Sequence, residues 1–351
     1  MPTPLRLSVL DQSPIRPGAT ARQALLETTE LAQLADRLGY TRFWVSEHHN
    51  TGTLAGSAPE VLLAHLGNHT DRIRLGSGGV MLPHYSALKV AENFRLLEAL
   101  FPGRIDLGIG RAPGADRLTA HALNPHNTFS DQDFAEQLMD LQAYLRDDKV
   151  PDTIHERVMA IPQSATQPAL WLLSSSGQSG LFAAHVGAAF TFAQFINPNG
   201  GPQAVRTYRE RFRPSAELGA PAANLAVFTI CADTEEKARE LRASMDLQLL
   251  RFNKGERLTF PTAADVRAYQ FTVEDEFQMA QSRGRVVSGT PAQVKAEFER
   301  LAEAYGIDEI IAVTITAEFE DRLRSYELLA EAFALPAAAP LALAEMSPSL
   351  A

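Results

Sequence analysis

Three clusters in this chain have the residue types to do chemistry, two where an apolar run meets a polar loop and one inside an apolar run. The first is Glu47-His48-His49, directly after Thr41–Ser46. An imidazole titrates near neutrality, so one ring facing a site suits general acid–base work or hydrogen bonding to an oxyanion; the same ring can equally brace a loop. Neighbouring residues of extended backbone point to opposite sides, so both histidines cannot face one site without a turn. Zinc is not expected: there is no H-E-x-x-H spacing and no evident third ligand. Glu47 and His48 are the candidate catalytic residues.

The second cluster is Ser174-Ser175-Ser176-Gly177-Gln178-Ser179-Gly180, which joins an apolar run to a helix. Successive N–H groups at a helix N-terminus form a positive concavity suited to phosphate, although serines in such loops also serve as plain caps. Arg111 ends the preceding apolar run and could reach the same anion with a bidentate guanidinium; its plainer role is a surface ion pair. Arginine and Ser/Gly loop together favour a phosphate-bearing cofactor. The loop is not a G-x-x-x-x-G-K-[ST] motif, and no G-x-G-x-x-G turn follows the first strand. The third cluster is Gly76, Gly78 and Gly79 inside the apolar run Ile73–Leu82. Glycine weakens a strand interior and marks a bulge or a close approach, either of a flat ring or of a packed neighbouring strand.

The elements that must position these clusters alternate between two periods. Strand-like runs at Leu5–Leu10, Thr41–Ser46, Ile73–Leu82, Arg104–Gly110, Ala169–Leu173, Ala188–Ala193, Leu225–Cys231 and Asp308–Thr314 are separated by segments of helical spacing. These include Thr20–Leu38, closed by Gly39, and Ala87–Leu100, Asp131–Leu145, Ser179–His185, Gly201–Phe212, Thr234–Phe252 and Glu318–Ala334. Eight alternating strands imply right-handed crossovers and a parallel sheet, hence an α/β fold of the (β/α)8 TIM barrel type. The barrel is expected to fill residues 1–335 as one domain. An insertion at 253–287, between strands seven and eight, is either a lid over the mouth or a peripheral subdomain. It runs into Thr290-Pro291-Ala292-Gln293, which has capping-box spacing. The Ala/Pro-rich tail, 336–351, is expected to be flexible. A barrel of this kind carries its site at the C-terminal strand ends, where all three clusters lie.

Composition narrows the function classes. The 351 residues are 45% apolar and carry a formal net charge of −10, which disfavours nucleic acid and anionic membrane as partners. The single cysteine, Cys231, cannot form an internal disulfide and reads as a buried small hydrophobe rather than a nucleophile. No secretory signal and no run of 18 apolar residues is found, so a cytoplasmic location is expected.

The strand ends also resemble a known family. Val45–His49, Gly78–Pro83, Ala91-Glu92 and Pro102–Arg111 are similar, in order and spacing, to the luciferase-like monooxygenases. The subgroup most alike has a fourth strand reading as Gly103 to Gly114 does here, and the resemblance runs from Leu5 to about Phe333. It implies FMN, with Arg111, Ser175, Ser176 and Ser179 on the phosphate, the backbone of Gly177 and Gln178 beside them, and Gly78, Gly79 and Val80 under the ring. It implies a cis bond between Gly78 and Gly79, and it matches His48 to the family's active-site histidine. It further implies reduced FMN from a separate flavin reductase, O2 and a small organic substrate that is oxygenated, and a homodimer. Bacterial luciferase has cysteine where this chain has Gly110, so light emission is not implied. Rival readings are an F420-dependent oxidoreductase, which would want further basic residues near Arg111; a non-catalytic flavin-binding protein; and a barrel enzyme acting on a phosphorylated substrate without flavin. The substrate is expected to be set by the loops Gly114–Thr128 and Asn253–Val287.

Overall fold

The computed structural model describes residues 4–111 and 116–337. Eight parallel strands close on themselves: β1 (Arg6–Asp11), β2 (Arg42–Val45), β3 (Arg74–Ser77), β4 (Ile105–Gly110), β5 (Ala169–Ser174), β6 (Ala189–Ala193), β7 (Ala223–Cys231) and β8 (Glu309–Val313). Closure comes from β8, which pairs with β1 (Arg6 opposite Glu309) and with β7 (Ile310 opposite Leu225). The helices on the outside are α1 (Ala21–Leu38), α2 (Pro59–Gly67), α3 (Ala87–Leu100), α4 (Asp131–Arg146), α5 (Gly177–Val186), α6 (Gly201–Arg211), α7 (Glu235–Asn253) and α8 (Phe319–Phe333). The expected TIM-barrel architecture is the one found.

Local chemistry explains the boundaries. Helix α1 starts at a reciprocal capping box between Thr20 and Gln23 and stops at Gly39, whose φ of 84° is left-handed. Its Leu31, Ala32 and Ala35 are fully buried against the sheet, each large apolar side chain contributing roughly 1.5–3 kcal/mol. The N-terminal end of the barrel is filled by charge rather than hydrocarbon. Arg42 donates to Glu309 (2.6 Å) and Asp106 (2.8 Å), Trp44 Nε1 donates to Asp106 (3.0 Å), and the Arg42 guanidinium lies 4.7 Å from the Trp171 ring centre. This plug is mutually paired and sits at the end remote from the strand C-termini.

Four boundaries differ from the sequence reading. The third run does not continue through Ile73–Leu82: β3 ends at Ser77, the Gly78–Gly79 bond is cis, and Val80–Met81 resumes as a short strand against Ile109 and Gly110 of β4. Both glycines sit at close approaches, Gly79 against backbone and Gly78 against the tip of a side chain. A Cβ on Gly78 would lie 2.7 Å from Leu10 Cδ1, and one on Gly79 would lie 2.7 Å from the Gly108 carbonyl oxygen. Helix α5 begins at Gly177, not Ser179. A short helix, Arg117–Leu123, interrupts the loop after β4, capped by Asp116.

The fourth difference lies at the end of the insertion, where Val286–Gly289 is a strand and not connecting chain. It pairs with the upper half of β7, from Phe228 opposite Val286 to Cys231 opposite Gly289. At nine residues, β7 outlasts the five of β6, and this strand covers the edge left bare. The helix that follows, Pro291–Tyr305, has the capping box expected at Thr290 and Gln293. The expected flexible tail falls largely on 338–351, outside the described residues.

Candidate active site

The chain leaves extended pairing after Val45, with Asn50 at φ 50°, and His48 and His49 both line one cavity despite being adjacent in sequence. The cavity measures about 590 Å³. The His48 backbone N–H donates to the Gly56 carbonyl (2.9 Å), and its Nδ1 lies 3.0 Å from Ser46 Oγ. Burial, helped by His49, pulls the His48 pKa down to about 4, so its ring is neutral at pH 7. Phe195, Phe228, Met245 and Leu249 give the cavity apolar walls.

Glu47 points the other way. Its side chain is wholly buried. Oε1 accepts from Tyr85 Oη (2.9 Å) and lies 2.8 Å from His49 Nε2, while Oε2 accepts the Met81 N–H (3.0 Å). The carboxylate therefore ties the end of β2 to the strand that follows the cis bond, and it orients the ring of His49. Tyr85 is raised above the ordinary phenol range by burial and by the facing Glu47 charge.

The second cluster gathers around the start of α5. Ser176 is the N-cap, yet its side chain makes no capping bond, so the first-turn N–H groups of α5 are open to another acceptor. The Ser176 N–H donates to Ser174 Oγ (3.0 Å), and Asn197 Nδ2 holds the Ser175 carbonyl (3.0 Å). Gln178 follows in the first turn, and Ser179 is buried in the third helical position. Arg111 reaches the same point: its guanidinium and the Gln178 side-chain amide both donate to the carboxylate of Asp131, the first residue of α4. A guanidinium and an amide thus share one carboxylate at the uncapped end of α5. That donor set suits a phosphate. At the third cluster, Gly78 and Gly79 offer bare backbone, and Val80 is buried with its side chain in the core.

Cys231 is buried, and burial pushes its thiol up to about 12, which leaves no thiolate for nucleophilic chemistry. Sequence reasoning missed Asp131 and Asn197, which bond to Arg111 and Gln178 and to the Ser175 carbonyl respectively. It also missed Gln248 and Arg285 in the cavity wall and a clasp at the mouth, where Asn50 donates to Asp116 (2.9 Å) and Arg257 donates to the Asn50 carbonyl (3.0 Å). Only Asp116 and Asp131 carried a signal, as acids at helix starts. The insertion is split in its placement: Glu256, Arg257, Leu258 and Arg285 reach the mouth, while the helices Ala263–Ala268 and Val273–Ser282 pack on α7.

The sequence pattern of the family described as luciferase-like monooxygenase matches residues 5–309. The chain belongs to the luciferase-like monooxygenase family. Among relatives, it is 40% identical to the N-acetyl-S-alkylcysteine monooxygenase of Bacillus subtilis (strain 168), over 93% of this chain and 98% of that one. The solved structure of apo-MsnO8 is 38% identical, covers 95% of this chain and 100% of its own, and has a TM-score of 0.85. At the level of fold alone, the barrel also overlays the oxygenating component of 3,6-diketocamphane monooxygenase in complex with FMN (19% identity, TM-score 0.67) and an F420-dependent secondary alcohol dehydrogenase (13%, TM-score 0.67). Family membership makes this luciferase-like protein an oxidoreductase. Among the described residues, no helix is long and apolar enough to cross a membrane.

Proposed function

We propose that the chain is a monooxygenase that uses reduced FMN and O2 to oxygenate a small organic molecule. The meeting of Arg111 and the Gln178 amide on one carboxylate, with Gln178 in the uncapped first turn of α5, carries this reading, because those donors suit the compact phosphate of FMN. The longer acidic tail of F420 would call for more cations, and the residue in contact with Arg111 is an acid. Reduced FMN, when bound, supplies the electrons that activate O2, so that one oxygen atom enters the substrate and the other leaves as water.

The chain's own residues do the rest. Arg111 and Gln178 bind the phosphate, with Ser175, Ser176 and Ser179 and the backbone of Gly177 beside them. Gly78, Gly79 and Val80 present backbone rather than bulk to the ring. His48, neutral and held through Nδ1 by Ser46, receives or delivers a proton at Nε2. Glu47 acts through His49, Tyr85 and Met81 as a positioning residue. The apolar walls exclude water. The reading includes a separate flavin reductase as the source of reduced FMN, a homodimer and a cytoplasmic location.

The deciding experiment is anaerobic titration with photoreduced FMN, run beside riboflavin and F420, then mixing with O2 and a panel of small thioethers and ketones. FMN is expected to bind at least tenfold more tightly than riboflavin, and one panel member to gain an oxygen atom from 18O2. Uptake of F420 in preference to FMN would overturn the assignment.

A further inference from the structure

Arg285 stands in the wall of the 590 Å³ cavity without a counter-charge. Its Nε donates to the Phe195 carbonyl at 2.7 Å, which fixes the guanidinium plane. Among the described residues, no carboxylate lies within 4.0 Å of it, and desolvation alone lowers its pKa. The fully buried arginines are matched, Arg42 with Asp106 and Glu309, Arg95 with Asp147, and Arg322 with Asp11. Arg104, half-buried as Arg285 is, has no acid among the described residues but directs its guanidinium to three oxygens of Thr70 and Ile73, against the single bond of Arg285. The two acids that share the cavity are matched too, Asp116 with Arg257 (3.7 Å) and Glu256 with Arg251 (3.9 Å). A half-buried cation facing hydrocarbon is unfavourable unless an anion comes to it. In the lining of the same cavity, Gln248 Oε1 is buried with no hydrogen-bond partner among the described residues.

We infer that the cavity selects an amphipathic organic acid, its carboxylate on Arg285, its apolar body against Phe228, Met245, Leu249 and Phe252, and a polar group near the acid on Gln248. The inference rests on the reading of this cavity as the substrate side of a flavin site. Arg285 is well placed for specificity, because it leads directly into the strand Val286–Gly289 and is pinned at Phe195. A neutral isostere of the acid would leave the guanidinium as it stands, desolvated and unmatched, so the charge decides selection.

The test uses the protein loaded with oxidised FMN and titrates matched acids and primary amides by calorimetry: octanoate with octanamide, and (benzylthio)acetate with (benzylthio)acetamide. At least one acid is expected to bind tenfold or more tightly than its amide. That preference should fall to within twofold in Arg285→Met and persist in Arg285→Lys, with FMN affinity unchanged in both variants. Equal binding of acids and amides, no acid binding by the loaded wild type, or a preference that survives Arg285→Met would overturn the inference. A loss of FMN affinity in Arg285→Met would do so as well, by assigning the guanidinium to the cofactor. Failure of the wild type to take up FMN appears before any acid is added; it removes the underlying reading, and the inference with it.

Discussion

Asp131 and Arg111 are paired at the mouth of the barrel, and Gln178 donates to the same carboxylate. The acid sits among the donors proposed for the phosphate, so phosphate and carboxylate compete for one guanidinium. Asp131→Asn removes the competing charge and is expected to tighten FMN binding three- to tenfold. Arg111→Met should weaken it about 10- to 100-fold, since a hydrogen bond to a charged group contributes about 1.5–3 kcal/mol. Riboflavin, which has no phosphate, should respond to neither change. Flavin fluorescence quenching measures all three, and a parallel response of riboflavin would sink the assignment.

His48 gives a pH signature. Its pKa is lowered to about 4 in the folded chain against an ordinary 6.5. Between those values the unfolded chain takes up a proton that the folded chain refuses, so stability contributed by the neutral ring falls as pH drops from 6.5 to 4 and is constant above 6.5. At pH 5 the cost is about 2 kcal/mol. Urea unfolding at pH 7 and pH 5 should therefore show a smaller loss in His48→Gln than in the wild type. The rate of substrate oxygenation should show no break near 6.5, and His48→Gln should lower it at least 100-fold with FMN affinity unchanged.

The barrel was legible in the sequence because its period is local: apolar runs alternate with helical spacing, and caps such as Thr20, Gly39 and Thr290 write their boundaries into single residues. The break in strand three was half legible. Gly78 and Gly79 announced a close approach, but only the packing of Leu10 and Gly108 against them ends the strand at Ser77. Asp131 was legible only as an acid at a helix start, and Asn197, Gln248 and Arg285 were not legible. Each meets neighbours from distant parts of the sequence, and one of the two arginines in Ser282-Arg283-Gly284-Arg285 looks like any surface cation until the fold turns it into a cavity. Glu47 stood out in the sequence together with His48; His48 lines the cavity, while Glu47 is wholly buried and bonds to His49, which also lines it.

Glu47 should therefore behave as a positioning residue. Glu47→Gln keeps the shape but replaces one acceptor oxygen by a donor, facing either Met81 N–H or the Tyr85 and His49 donors. At least one buried bond is lost and at least one donor is opposed, a cost of about 1–3 kcal/mol for each in urea unfolding. Oxygenation should fall less than in His48→Gln, and its pH profile should keep the wild-type shape. A Glu47→Gln profile that loses a limb would instead make the carboxylate a proton carrier.

The clasp at the mouth should control containment without contributing to stability. Arg257 is exposed and reaches Asp116 at 3.7 Å and the Asn50 carbonyl at 3.0 Å, so it joins the insertion to the loops after β2 and β4. An exposed pair of this kind contributes about 0–1 kcal/mol, and Arg257→Ala should leave the unfolding midpoint nearly unchanged. Its effect belongs to the rim: Asn50, Asp116 and Arg257 all line the cavity, and parting them widens the path for water. The expected result is uncoupling, with two- to fivefold more hydrogen peroxide released per flavin oxidised and correspondingly less oxygenated product. Because the interaction is between exposed charges, 0.5 M salt should reproduce part of the effect in the wild type and add little in Arg257→Ala. Peroxide yields that match the wild type at both salt concentrations would mean that the insertion leaves the mouth open in either state, and that the apolar walls alone keep water from the reacting centre.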